Sequence, residues 1–162
     1  KGEIDMIESV PHDLLPAIEK DPNIRIVKSI GSLQYTFRPN WKIKPFDNPR
    51  IRQAAMIALD QQDFLDAAVG DSRFYATCKA LFTCNTPLAS QAGMDGMLTG
   101  NSAKAAALLK EAGYDGTPVV ILRPTDLAVL SNLAPVAKAQ LDQYRRLLDI
   151  MYAPQHSLNV AW

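Results

Sequence analysis

Asn48-Pro49-Arg50-Ile51-Arg52-Gln53-Ala54-Ala55-Met56-Ile57-Ala58 is the stretch on which the reading of the fold turns. Asn48 can accept a hydrogen bond from the free amides of a helix start, and Pro49 suits the first helical position, where no amide proton is needed. Ile51, Ala54, Ala55, Ala58, Leu65 and Ala68 then fall on one helical face, and Gly70 stops the run. The spacing predicts one long helix, with an alanine-rich face able to approach a sheet closely.

Downstream, Ser102 to Ala112 is rich in alanine and leucine and ends at Gly113, a second predicted helix. Val119 to Leu122 is a continuous β-branched apolar run, the mark of a strand covered on both faces. Leu127 to Leu148 keeps Leu130, Leu133, Ala134, Ala137, Leu141, Tyr144 and Leu148 in helical register. Pro135 either kinks this helix or marks its true start. Ile150 to Tyr152 and Leu158 to Trp162 read as short strands.

Upstream, Ile4 to Ile7 reads as a strand and Pro11 to Lys20 as a helix, provided Pro16 falls in its first turn. Asp21-Pro22-Asn23 is a turn signal. Ile24 to Ile30 reads as a strand. Leu33, Tyr35 and Phe37 alternate with Gln34, Thr36 and Arg38, which predicts a half-buried strand. Pro39 to Asp47 is an irregular loop. Residues 71–101 carry no sustained period, and so long a structureless stretch is usually functional or tied down.

Strands alternating with helices predict an α/β or α+β class with a mixed sheet and flanking helices. The 162 residues fit one domain, and 48% hydrophobic against 21% charged residues is a globular balance. Seventeen basic residues meet seventeen acidic ones. Zero net charge argues against nucleic acid as a partner and against a polybasic membrane anchor. Both ends read as boundaries within a longer protein.

Catalytic patterns are missing. There is no phosphate-binding Gly-x-x-x-x-Gly-Lys loop, no dinucleotide fingerprint, no His-Glu-x-x-His and no Gly-x-Ser-x-Gly. His12 and His156 read as solvated side chains, and Asp60, Asp63 and Asp66 as the wet face of the Asn48 helix. Nothing calls for an enzyme, a metal or a cofactor. Cys78 and Cys84, six positions apart, can either staple a loop or remain free thiols.

Four segments together carry a resemblance. They are Gly2-Glu3-Ile4-Asp5-Met6 with Asp21-Pro22-Asn23-Ile24; Tyr35-Thr36-Phe37-Arg38-Pro39-Asn40 leading into Pro45-Phe46-Asp47-Asn48-Pro49-Arg50-Ile51-Arg52-Gln53-Ala54; Ala58-Leu59-Asp60-Gln61 with Gly70; and Leu108-Leu109-Lys110-Glu111-Ala112-Gly113-Tyr114-Asp115-Gly116. The chain resembles the solute-binding proteins of peptide/nickel-type (family 5) ABC transporters. The resemblance implies a single domain, residues 1–162, that is one lobe of a two-lobed, type II periplasmic-binding-protein-like clamp. It implies uptake of peptides or similar small solutes, ABC permease subunits as membrane partners, and a periplasmic or other extracytoplasmic location. Such a location implies that Cys78 and Cys84 are oxidised to a disulfide.

Ligands of open α/β sheets sit beyond the carboxyl ends of the strands. In the dipeptide-binding relatives the loop after the matching strand lines the site, which makes Arg123, Thr125 and Asp126 ligand-binding candidates. Arg123 can hold a carboxylate with two parallel bonds and Asp126 can meet an ammonium group. Opposed to this stands helix capping by Thr125 or Asp126 and a surface ion pair for Arg123. Tyr35, Asn40 and Trp41 are further candidates. An alternative from another class is an extracytoplasmic partner-interaction or sensor domain without a transport role.

Overall fold

The computed structural model describes residues 2–8, 10–28, 34–142 and 148–153. In chain order the elements are α1 (Leu15–Ile18), α2 (Pro49–Ala58), α3 (Gln61–Ala68), α4 (Ser102–Glu111), β1 (Val119–Pro124), α5 (Ala128–Ser131), α6 (Leu133–Asp142) and β2 (Leu148–Ala153). Single 3₁₀ turns precede α1 (His12–Leu14) and follow α3 (Ser72–Phe74).

Asn48 starts α2 as its chemistry requires. Its Oδ1 accepts from the Arg50 amide at 2.9 Å, and Pro49 opens the helix. The same amide group reaches a second helix, because Nδ2 donates to the Ala112 carbonyl at 3.3 Å. Ala112 ends α4, where Gly113 takes φ +68°. The Gly113 amide bonds the Lys110 carbonyl and the Tyr114 amide bonds the Leu109 carbonyl, both at 3.1 Å. This is the Schellman closure that only a residue free to adopt positive φ makes without strain. One asparagine thus caps the start of α2 and the end of α4.

The core forms where α2 meets α4 and α6. Ala54 and Ala105 are fully buried and Ala137 almost so, which lets the helix backbones approach closely. Ile51, Ile57, Leu59, Leu109 and Leu141 fill the space around them. Burying each such large side chain contributes about 1.5–3 kcal/mol. The alanine-rich face packs against helices, and Val119 and Ile121 of the sheet pack against the same cluster.

The long helix predicted from Asn48 to Gly70 is two helices. Leu59 and Asp60 are extended between them, with ψ of 137° and 119°. Asp60 does not belong to a wet helical face. Its side chain caps α3 by accepting from the Gln62 amide at 2.8 Å, and its backbone bridges Thr99. Its amide is held by Gln140 Oε1 at 2.9 Å, while Gln140 Nε2 donates to Asp63 at 2.7 Å. The break is held by tertiary hydrogen bonds that helical periodicity does not register. The segment from Leu98 to Asn101 finishes α2, its amides bonding the carbonyls of Met56, Ile57 and Leu59.

β1 and β2 pair in parallel over six residues, Val119 with Leu148 through Pro124 with Ala153. α5 and α6 form the crossover, and α6 packs on both strands. This βαβ unit carries the α/β character, and the predicted strand at Ile150 to Tyr152 lies inside β2. The helix predicted from Leu127 to Leu148 is instead α5 and α6. Leu148 begins β2, and Tyr144 lies outside the described residues. Pro135 sits in the first turn of α6, where it disturbs little. Val120 is 53% exposed, so β1 is covered on one face rather than two among the described residues.

Among the described residues the predicted amino-terminal strands do not form a ladder. Ile4–Ile7, the described part of Ile24–Ile30 and Gln34–Phe37 have no strand pairing among the described residues. Alternation supplies a face, but a strand needs a neighbour for its amides and carbonyls. The strand expected at Leu158–Trp162 lies outside the described residues. Among the described residues no helix is long and apolar enough to cross a membrane.

Candidate functional site

The site at the end of β1 is built from Arg123, buried Pro124 and the bend that follows. Pro124 ends the strand and cannot donate to a neighbour. Thr125 and Asp126 are exposed in the bend before α5. Because β1 and β2 are parallel, their carboxyl ends lie on the same side, as the rule for ligands of open α/β sheets requires. Arg123 is half-buried, and its Nε–H donates to the Ser131 carbonyl at 2.8 Å and to Ser131 Oγ at 2.9 Å. Ser131 is in turn fixed by its own amide, which bonds the Leu127 carbonyl at 2.9 Å.

The structure places the other three candidates on a separate segment. Tyr35 is 44% exposed, and burial of the rest of its ring raises the phenol above its ordinary range. Asn40 stabilises its own turn, accepting from the Lys42 amide at 3.1 Å. Trp41 is 63% exposed, with the Lys42 ammonium 5.5 Å from its ring centroid. Arg123, Thr125 and Asp126 share one strand end; Tyr35, Asn40 and Trp41 form an aromatic stretch with local contacts of its own.

The long segment after α3 is tied down. Cys78 and Cys84 form a disulfide. The Gln61 side chain grips the Cys78 backbone from both sides, donating to its carbonyl at 2.8 Å and accepting from its amide at 2.7 Å. Nearer its start, Arg73 pairs with Asp71 at 2.5 Å and Glu19 at 3.0 Å and lies over the Phe74 ring. The Arg73 bonds hold the Asp71 carboxyl below its ordinary range. The Glu19 pair fastens the segment to the end of α1, and such solvent-exposed ion pairs add little stability individually. Among the described residues no cluster of histidine, cysteine and carboxylate side chains has the make-up of a metal site.

Sequence reasoning missed Ser131 and Gln140. A serine eight positions after an arginine carries no pattern. Gln140 did leave a trace: it lies three residues from Ala137, next to the apolar stripe.

Comparison with known proteins settles the family. The profile described as "Bacterial extracellular solute-binding proteins, family 5 Middle" matches residues 1–144. The chain belongs to this family. A probable peptide ABC transporter periplasmic-binding protein, y4tO, of Sinorhizobium fredii is 37% identical over 86% of the chain and 27% of its own length. The glutathione-binding protein GsiB of Salmonella choleraesuis is 28% identical over 88% of the chain and 27% of its own length. Among solved structures, the ABC transporter substrate-binding protein CtaP of Listeria monocytogenes superposes with a TM-score of 0.64 at 22% identity, over 71% of this chain and 23% of that one. That likeness shows the fold. The chain spans about a quarter of the length of the curated relatives it matches. Membership in the family 5 extracellular solute-binding proteins sets the chain outside the cytoplasm, where a disulfide such as Cys78–Cys84 persists.

Proposed function

We propose that residues 1–162 are a single domain forming part of one lobe of a two-lobed solute-binding protein, which closes on a peptide and delivers it to an ABC permease. Arg123 carries this reading. It is a cation fixed at the carboxyl end of a parallel strand, in a chain of an extracellular solute-binding family. A guanidinium there matches the carboxylate of a peptide in geometry and charge. Asp126 supplies the opposite charge on the same bend for an ammonium group, and Thr125 a hydroxyl. Tyr35 and Trp41 offer aromatic surface to side chains, and Asn40 a polar contact between them. Binding by closure needs differential contacts with the closed state and no chemical step, so no catalysis is expected.

Calorimetric titration of the intact protein with a peptide library tests this. Arg123→Ala should weaken binding of the best peptide by about tenfold or more, the loss expected for hydrogen bonds to a charged group. Residues 1–162 alone should bind the same peptide far more weakly, since they offer only part of the pocket. Unchanged affinity in Arg123→Ala, or micromolar binding by the isolated residues, would overturn the reading.

A further inference from the structure

The disulfide closes residues 78–84 into a small ring. The ring is fixed to α3, where the Gln61 side chain holds both the carbonyl and the amide of Cys78. Inside it the Cys84 amide donates to Cys78 Sγ at 2.9 Å, and just beyond it Thr86 Oγ1 donates to the Thr83 carbonyl at 2.7 Å. This bracing does not serve to bury the ring's own apolar side chains, because Leu81 is 86% exposed and Phe82 52% exposed. What the ring does hold in place is the Ala80 carbonyl. That carbonyl accepts from Gln34 Nε2 at 3.1 Å, across 46 positions of sequence. Gln34 directly precedes Tyr35, and Phe37, two residues further on, packs against the core cluster. Among the described residues this segment pairs with no strand. Tyr35 therefore lies between two side-chain anchors, Gln34 on the ring and Phe37 on the core.

We propose that Gln34 is a positioning residue for ligand recognition and the disulfide-closed ring its mount: together they hold the Tyr35 ring where a side chain of the bound peptide meets it. The ligand class that fits is a peptide carrying an aromatic side chain, for which the exposed part of Tyr35 offers a partner ring. This rests on the reading of Tyr35 as a ligand contact. A segment outside any ladder keeps a mobile backbone unless side chains fix it, and ordering it at the moment of binding costs affinity. A short closed ring has few conformations of its own. An acceptor mounted on it passes the position of α3 on to the backbone that carries Tyr35.

The test is calorimetry on the intact protein with two peptides from the library that differ at one position, phenylalanine in one and alanine in the other. The wild type should prefer the phenylalanine peptide by about three- to tenfold, the scale of one aromatic pair, and Tyr35→Ala should abolish that preference. Gln34→Ala should lower it by about two- to threefold, the scale of one exposed hydrogen bond, and leave affinity for the alanine peptide unchanged. Cys78→Ser with Cys84→Ser, which opens the ring and keeps Gln34, should do the same. Gln34→Lys, which keeps a donor at similar reach, should restore the preference. In a Tyr35→Ala background Gln34→Ala should change nothing further. If Gln34→Ala weakens both peptides equally, the glutamine serves only stability and the proposal falls. If it changes neither while Tyr35→Ala removes the preference, the proposal falls and the reading of Tyr35 stands. If Tyr35→Ala leaves the preference intact, that reading falls and takes the proposal with it.

Discussion

Gln140 offers the sharpest test of how the domain is assembled. It is 8% exposed on α6, and its amide group meets the break between α2 and α3. Oε1 accepts from the Asp60 amide at 2.9 Å. Nε2 donates to Asp63 Oδ2 at 2.7 Å and lies 3.4 Å from the Asp60 carbonyl. Gln140→Met keeps most of the volume and removes both good bonds. The stranded Asp60 amide then costs about 1–3 kcal/mol. The bond to Asp63, an exposed carboxylate, adds about 1 kcal/mol after solvent screening. The expected destabilisation is about 2–4 kcal/mol, a large share of a domain's margin. Gln140→Glu should be worse still at neutral pH, because it sets a second carboxylate against Asp63. Urea unfolding followed by circular dichroism measures the change, and hydrogen exchange at the Asp60 amide locates it. A cycle with Asp63→Ala isolates the carboxylate bond. A loss below about 0.5 kcal/mol in Gln140→Met, with exchange at Asp60 unchanged, would refute the view that this clamp holds the break.

Two further outcomes follow from contacts already described. Asn48→Asp retains the cap on Arg50 but loses the donor to Ala112 and turns a carboxylate toward that carbonyl, so it should cost about 1 kcal/mol or more; Asn48→Ala loses both roles and should cost about 2 kcal/mol, and equal stability of Asn48→Asp and wild type in urea melts would contradict the bridging role. Cys78→Ser with Cys84→Ser should destabilise by about 2 kcal/mol in the chain-entropy model of so short a loop, and the same loss should appear in the wild type on addition of reductant, read as a shift in the urea midpoint.

What was legible in the sequence was local. Asn48-Pro49 and Ala112-Gly113-Tyr114 mark helix ends through side-chain and φ requirements that no distant contact alters, and the structure places both as read. The β1 strand and the strand inside β2 were legible from their β-branched and apolar runs. The break at Asp60 was not, because the residues on either side keep helical spacing and the deciding partner, Gln140, lies eighty positions away. The amino-terminal strands misled for the complementary reason. Alternation of Leu33, Tyr35 and Phe37 describes which face wants burial, but the ladder depends on a neighbour that the described residues do not supply. At the candidate site the arginine was read as following the strand, whereas it lies within β1, paired with Tyr152. Its serine partner was not legible, since eight residues of bend and helix set that contact rather than any fixed spacing.

The residues that carry the family resemblance and those proposed to grip a ligand divide the work cleanly. Phe46-Asp47-Asn48-Pro49-Arg50 and Ala112-Gly113-Tyr114 lie far apart in the chain, yet the Asn48 side chain joins them with one amide group. Arg52 closes the same corner, donating to the carbonyls of Phe46 at 2.5 Å and Asp47 at 3.1 Å. Each of these groups satisfies a helix end or a loop carbonyl, a need imposed by the backbone whatever solute is bound. They can therefore remain the same while ligands differ. Arg123 meets a different demand: a half-buried cation is retained only where its donors find acceptors, and Ser131 supplies two of them at Nε. A corner that serves the backbone identifies the fold, whereas the strand end is where the proposed function sets ligand choice. It follows that exchanging the residues of the Asn48 corner should alter stability at constant specificity, and exchanging the exposed Thr125 or Asp126 should alter specificity at nearly constant stability.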